Sequence, residues 1–263
     1  MQTVHVEGSD LKVLDRGAGS PVLLVHGFPL DHTMWRPQIE FLSQTHRVIA
    51  PDLRGFGGSM ATPGTVSMER FADDLSNVLT ALGIEEPVTL CGLSMGGYIA
   101  WQFWRKHTAR LRRLVLCDTR AQPDGAEAAE NRHALADRVL AEGPSVTAEA
   151  MLPKLFASQT QTRMPEVIEA QRRVMLAATP DGIAAALRGM AERPDARPWL
   201  ASIRVPTLVI VGSEDTISPP DEMRQIASAI PGAQFVEVPG AAHMAPLEQP
   251  EAVNSALRRF LGA

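Results

Sequence analysis

Six short apolar runs alternate with longer segments of helical periodicity, and this alternation constrains the fold of the chain more than any other feature. The runs are Val22 to Val25, Arg47 to Ala50, Val88 to Cys91, Leu114 to Cys117, Thr207 to Val211 and Gln234 to Val238. Continuous apolar runs rich in β-branched residues are strands covered on both faces. Strands separated by helices pair in parallel, with the helices on both faces of the sheet. The fold class expected is therefore α/β. The first twenty residues read as a hairpin: Thr3 to Val6, a Gly8-Ser9-Asp10 turn, then Leu11 to Leu14.

Helices are expected over Met34 to Ser43, Met68 to Leu82 and Met95 to Lys106. Ser67 is placed to cap the second of these and Gly83 to stop it. Ser218-Pro219-Pro220-Asp221 reads as a helix start with Ser218 as the cap. Pro250 opens the last helix, which ends near Gly262.

The stretch from Gln122 to Leu200 differs. It has no strand pattern and is rich in Ala, Glu, Arg, Met and Leu. It is broken at Gly143-Pro144, Pro165, Thr179-Pro180-Asp181 and Pro194. That is too long for a single crossover helix and reads as about four helices inserted between two strands. The expected division is a core over 1–121, a helical lid over 122–200 and the rest of the core over 201–263.

A chain of 263 residues can bury a large core without staples. Its net charge of −5, with no basic run, argues against nucleic acid and anionic membranes as partners. No apolar stretch approaches the ~20 residues of a membrane span. Met1-Gln2-Thr3-Val4-His5 does not begin a signal peptide, so a cytoplasmic protein is expected. Cys91 and Cys117 lack metal-like spacing and read as reduced, buried thiols. No metal or cofactor is expected, and no partner beyond a small molecule, with the chain a monomer or small homo-oligomer.

Gly92-Leu93-Ser94-Met95-Gly96 lies between a predicted strand and a predicted helix. In that context G-x-S-x-G is a specific signal. The serine backbone must be strained for its hydroxyl to project from the sheet edge. Side chains two before and two after would collide, and glycine removes them. A helix starting beneath Ser94 adds a positive dipole end. The pattern lacks the residues of a phosphate-binding loop.

A serine hydroxyl needs a base to become a nucleophile. His243 follows the strand ending near Val238, in the loop Pro239-Gly240-Ala241-Ala242-His243-Met244. Asp215, in Gly212-Ser213-Glu214-Asp215 after the strand Thr207 to Val211, is the acid that would orient it. His5, His46, His107 and His133 read as surface or packing residues.

With these motifs the chain resembles the α/β-hydrolase superfamily along nearly its whole length. His26-Gly27-Phe28-Pro29 looks like the family's oxyanion loop, and Asp52-Leu53-Arg54-Gly55-Phe56-Gly57-Gly58-Ser59 like its D-x-R-G-x-G-x-S turn. Asp31-x-x-x-Trp35 and Gly92-Leu93-Ser94-Met95-Gly96-Gly97 are similar to small carboxylesterases and 3-oxoadipate enol-lactonase-like hydrolases. The resemblance implies a mostly parallel eight-stranded sheet whose second strand is antiparallel, with a helical cap after strand six. It implies that Ser94, Asp215 and His243 form a triad and that the Phe28 and Met95 amides form the oxyanion hole. His26, Asp52 and Arg54 would be structural. Some relatives place the acid where Asp118 stands.

The expected activity is hydrolysis of carboxylic esters or lactones of small apolar substrates. Phe28, Trp35, Met95, Met151, Leu152, Phe156, Met190 and Met244 are the expected pocket. Alternatives are an enol-lactonase, a carbon–carbon bond hydrolase of aromatic degradation, and a cofactor-free perhydrolase or haloperoxidase, the last on the Phe28-Pro29 pair. A non-catalytic alternative is a small-molecule receptor on the same scaffold. Haloalkane dehalogenases and epoxide hydrolases need a carboxylate at the elbow, which Ser94 excludes.

Overall fold

An eight-stranded sheet in the order β1-β2-β4-β3-β5-β6-β7-β8 organises the protein, described over residues 1–262 in a computed structural model. In chain order the elements are β1 (Gln2–Val6), β2 (Ser9–Arg16), β3 (Pro21–Val25), α1 (Arg36–Leu42), β4 (Arg47–Pro51), α2 (Met68–Ala81), β5 (Val88–Leu93), α3 (Met95–His107) and β6 (Leu111–Cys117). Then follow α4 (Ala126–Glu142), α5 (Ser145–Leu155), α6 (Ser158–Arg163), α7 (Pro165–Ala177), α8 (Pro180–Ala191), β7 (Thr207–Gly212), α9 (Pro220–Ala229), β8 (Gln234–Val238), α10 (Ala245–Glu248) and α11 (Pro250–Leu261). β2 pairs antiparallel with β1 and β4, and the other neighbours pair in parallel. This is the α/β architecture expected.

The two-residue period of a strand divides the core in two. Leu23 and Val25 of β3 join Leu90, Leu114, Val209, and the α2 and α3 residues Phe71, Leu75, Ile99 and Phe103. Val22 and Leu24 face the other way, with Cys91, Val115, Ile210, and Ile39, Val253 and Leu257 of α1 and α11. β3, β5 and β7 are buried throughout, which is why they read as unbroken apolar runs.

Three local expectations are corrected. The hairpin turn is Glu7-Gly8, because Gly8 takes φ +67° and leaves Val6 to pair with Ser9. The α9 cap position is Pro219, and the buried Ser218 hydroxyl has no partner among the described residues. Ser218 instead gives its backbone N–H to Asp215 Oδ1 at 3.0 Å. The insertion between β6 and β7 holds five helices, because the chain breaks at Ala157 between α5 and α6 as well as at the breakers already named. Ser67 does cap α2, its hydroxyl accepting from Arg70 N.

The insertion is fixed to the core through α8. Ile183, Leu187 and Met190 are buried on its apolar face. Val66 N donates to Ala185 O at 3.1 Å, and Thr179 Oγ1 donates to Gly55 O at 3.2 Å.

Candidate active site

The parallel strands end level with one another at one edge of the sheet. Val25 pairs with Gly92, Leu93 with Cys117, and Gly212 with Val238. The loops that leave this edge carry His26 to Phe28, Ser94, Asp118, Asp215 and His243. Five segments far apart in sequence are therefore gathered by the register of the sheet.

Ser94 has φ 54° and ψ −113°, a left-handed backbone that a side chain other than glycine's rarely adopts. Its surroundings enforce this. A Cβ on Gly92 would lie 2.4 Å from Gly96 O, and one on Gly96 would lie 2.3 Å from Val25 O. The Ser94 carbonyl accepts from Gly97 N at 2.9 Å and from Thr119 Oγ1 at 2.7 Å. Ser94 N donates to Cys117 O at 3.0 Å. The side chain is partly exposed, at the N-terminus of α3.

His243 is buried, and its Nδ1 lies 2.8 Å from Asp215 Oδ2. Asp215 Oδ1 accepts the N–H groups of Ile217 and Ser218 at 2.8 and 3.0 Å. The carboxylate is thus fixed by three donors. An oxygen that only accepts requires Nδ1 to carry the proton, which leaves Nε2 of the neutral ring as a base. No hydrogen bond links Ser94 Oγ to His243 among the described residues. Contacts between nucleophile and base often tighten only when substrate is bound.

Asp118 lies one strand away and makes no hydrogen bond to the imidazole among the described residues. It is fully buried with φ 45°. Its Oδ1 accepts Gly212 N at 2.8 Å, while Oδ2 has no partner among the described residues. Burial, then the negative charge of Asp215, pushes this carboxyl well above its ordinary value.

The neighbouring loops act as supports. His26 Nε2 accepts Leu53 N at 2.9 Å and Nδ1 donates to Gly27 O at 2.8 Å, so both ring atoms serve the backbone. Burial lowers its basicity and keeps the ring neutral. Asp52 accepts from His32 N and Gly58 N. Arg54 makes a buried two-pronged pair with Asp74 at 2.8 and 2.7 Å. Removing one member of such a pair costs about 3–5 kcal/mol. Gly27 N donates to Met34 Sδ at 3.4 Å, and a Cβ on Gly27 would lie 3.5 Å from Ser94 Cβ. Neither Phe28 N nor Met95 N donates to a protein acceptor among the described residues, so both amides are available.

A cavity of about 260 Å³ spans the insertion and the strand ends. Phe28 and Ile217 line it from the core; Leu135, Met151 and Leu187 line it from α4, α5 and α8, with Asn131, Arg132, Ala150 and Lys154 also at its wall. Of the residues expected in the pocket, Phe28 and Met151 are here. Leu152 faces a separate groove with Pro153, Gln161, Pro165 and Ile168, because the next residue of a helix points about 100° away. Trp35, Phe156 and Met244 are buried together in one apolar cluster, and Met95 and Met190 in the other. Leu135, Leu187 and Ile217 were not anticipated: for Leu135 and Leu187 the packing of an inserted helix decides which face turns inward, and Ile217 sits on the loop after β7.

Two further polar residues were missed. Thr119 holds the Ser94 carbonyl, and buried Glu248 accepts Ala242 N beside His243 at 2.8 Å. The only sequence signal for Glu248 is a lone acid among Pro246, Leu247 and Pro250. Cys91 and Cys117 are buried neighbours with their sulfurs 4.0 Å apart.

Comparison with known proteins agrees with this fold. The family profile described as alpha/beta hydrolase fold matches residues 20–250. The chain is 51% identical to a thermophilic esterase from Thermogutta terrifontis, solved with malate bound, covering 100% of this chain and 98% of that one with a TM-score of 0.97. It is 31% identical to the enol-lactonase from Burkholderia xenovorans, covering 100% of both chains with a TM-score of 0.93. It is also 31% identical to 3-oxoadipate enol-lactonase 1 of Acinetobacter baylyi over 93% of this chain and 90% of that protein. With its fold, its elbow and its relatives in agreement, the chain belongs to the α/β-hydrolase family and is a hydrolase.

Proposed function

We propose that the protein is a serine esterase that cleaves carboxylic ester or lactone bonds of small apolar substrates through an acyl-enzyme on Ser94. The observation that carries this reading is the Asp215–His243 pair at 2.8 Å on the sheet edge that presents the strained Ser94. His243 Nε2 takes the proton from Ser94 Oγ as it attacks the carbonyl carbon. Asp215 holds Nδ1–H and stabilises the imidazolium. The oxyanion accepts hydrogen bonds from the Phe28 and Met95 amides, each such donor being worth on the order of 3 kcal/mol. His243 returns the proton to the departing alcohol. A water deprotonated by the same nitrogen then attacks the acyl-enzyme and releases the acid.

The apolar wall of Phe28, Leu135, Met151, Leu187 and Ile217 suits a short acyl or aryl group. The small-molecule ester is the only partner this reading needs, and the protein works as a monomer or small homo-oligomer in the cytoplasm. No helix among the described residues is long and apolar enough to cross a membrane.

The test is hydrolysis of p-nitrophenyl butyrate by the wild type, Ser94→Ala and His243→Ala. Both variants should lose on the order of 10⁶ in kcat, since triad members act as a unit. Unchanged turnover in Ser94→Ala would remove the acyl-enzyme. The two enol-lactonase relatives favour a lactone as second reading, and the same panel with enol-lactones ranks the two. Peracid formation from acetate and peroxide separates the perhydrolase suggested by Phe28-Pro29. Hydrolysis that stops after one turnover would point to a receptor instead.

A further inference from the structure

The loop 239–244 that carries His243 is fastened to the helical insertion at two points. Gln159 Nε2 donates to Gly240 O at 2.7 Å. The second point is the Glu248 carboxylate, only 4% exposed. Its Oε1 accepts Ala242 N at 2.8 Å, one residue before His243. Its Oε2 accepts Ala157 N at 2.8 Å and Thr160 Oγ1 at 2.7 Å, both from the insertion. Ala157 occupies the cap position of α6 and has no side chain able to cap it. Glu248, from another part of the chain, accepts the N–H of that cap residue itself and the Thr160 hydroxyl of the first turn.

We propose that Glu248 is a positioning residue for His243: one carboxylate joins the histidine loop to the α5–α6 junction, so the seating of the insertion sets where the imidazole Nε2 points. The proposal rests on His243 being the general base. Three donors converge on two oxygens, and no other acceptor among the described residues serves Ala157 N or Ala242 N. The reach of Glu248 is fixed by α10, which begins two residues after His243. Any shift of α6 is therefore carried through two hydrogen bonds to the residue before the base. Substrate that enters beneath the insertion and moves it moves the base as well.

Glu248→Gln tests this. It keeps the volume but offers an amide N–H to one of the two sets of donors. Either the histidine loop or the α5–α6 junction then loses its acceptor. With p-nitrophenyl butyrate, kcat should fall roughly 10- to 100-fold while KM stays near wild type, because a misplacement of about 1 Å can cost 10²-fold. Thr160→Val, which cuts one of the two bonds on the insertion side and leaves the histidine loop's bond intact, should lower kcat less and in the same direction.

A second readout does not depend on turnover. The low-field proton resonance of His243 Nδ1–H, identified by its loss in His243→Ala, should shift or broaden in Glu248→Gln. Folded Glu248→Gln with wild-type kcat and an unmoved resonance overturns the proposal. So does a rise in KM alone, which would make Glu248 a mere support of the pocket. If Glu248→Gln does not fold, Thr160→Val decides: lowered kcat at constant KM supports the proposal, and wild-type kcat overturns it. Ser94→Ala as active as wild type defeats the esterase reading instead, and the resonance still reports whether Glu248 sets the imidazole.

Discussion

Asp215 follows β7 and Asp118 follows β6, on adjacent strands at the same edge of the sheet. Both are buried aspartates within reach of the same chemistry, yet the backbone treats them differently. Asp215 receives two amide N–H groups on one oxygen and the imidazole on the other. Asp118 receives one amide N–H, and its second oxygen has no hydrogen-bond partner among the described residues. A carboxylate needs donors to hold its charge in a dry interior. The loop after β7 supplies them, and the loop after β6 does not. Which aspartate can orient a histidine is thus decided by the donors each loop provides and not by position on the edge alone.

The sharpest way to break this comparison is to neutralise each acid in turn. Asp215→Asn should lower kcat on p-nitrophenyl butyrate by on the order of 10⁴-fold, because an amide favours the wrong imidazole tautomer. Asp118→Asn should stay within a few-fold of wild type, as a side chain that makes no hydrogen bond to His243 or Ser94 among the described residues. A larger loss in Asp118→Asn than in Asp215→Asn would reverse the assignment of the acid.

The loop after β6 contributes through Thr119 instead. Its hydroxyl donates to the Ser94 carbonyl at 2.7 Å and helps to hold the strained turn. Thr119→Val keeps the shape and removes the donor. Turnover should fall by about tenfold with KM little changed, as expected when a nucleophile loses its alignment. Steady-state kinetics at a single pH are enough to check this, and a rise in KM without a fall in kcat would show that Thr119 shapes the pocket and leaves the elbow untouched.

The same contrast explains what was legible in the sequence. The elbow is a steric statement about five consecutive residues, so Gly92, Ser94 and Gly96 were readable without the fold. Asp215 and His243 were readable because each follows a recognisable strand, and strand ends gather at one edge. The break at Ala157 was not readable. No glycine or proline marks it; it is held by Glu248, 91 residues away. Ser218 has a cap's composition, but its N–H is taken by Asp215, and the helix starts after Pro219. Met151 and Leu152 are equally apolar neighbours on α5. Only the packing of that helix decides that the first lines the cavity beside Phe28 and the second an outer groove.

On the proposed esterase reading, substrate length depends on that packing. Leu187 lines the cavity from α8 and is buried. Leu187→Ala should raise kcat/KM for octanoate over butyrate p-nitrophenyl esters by roughly tenfold, the scale of one or two methylenes in an apolar pocket. Leu152→Ala, on the outer groove, should leave the ratio alone. Equal shifts in both variants would mean that acyl chains do not enter this cavity.

The smallest effect on turnover belongs to Asp118, and it reads out in stability. Burial and the charge of Asp215 hold its carboxyl well above the ordinary 3.8 in the folded protein, while the unfolded chain titrates near that value. Above about pH 4 the unfolded state has shed this proton and the folded state still binds it. A group with a raised folded pKa therefore contributes most below its unfolded pKa, and stability declines as pH climbs from there towards the folded pKa. Asparagine does not titrate and can still accept Gly212 N through its carbonyl. Asp118→Asn should match the wild type in acid and gain on it as pH rises above about 4, until the folded carboxyl itself titrates. Paired thermal melts across that range measure the gap. A gap that does not change with pH would mean that Asp118 titrates alike in the folded and unfolded chains, and the contrast between the two strand ends would lose its electrostatic half.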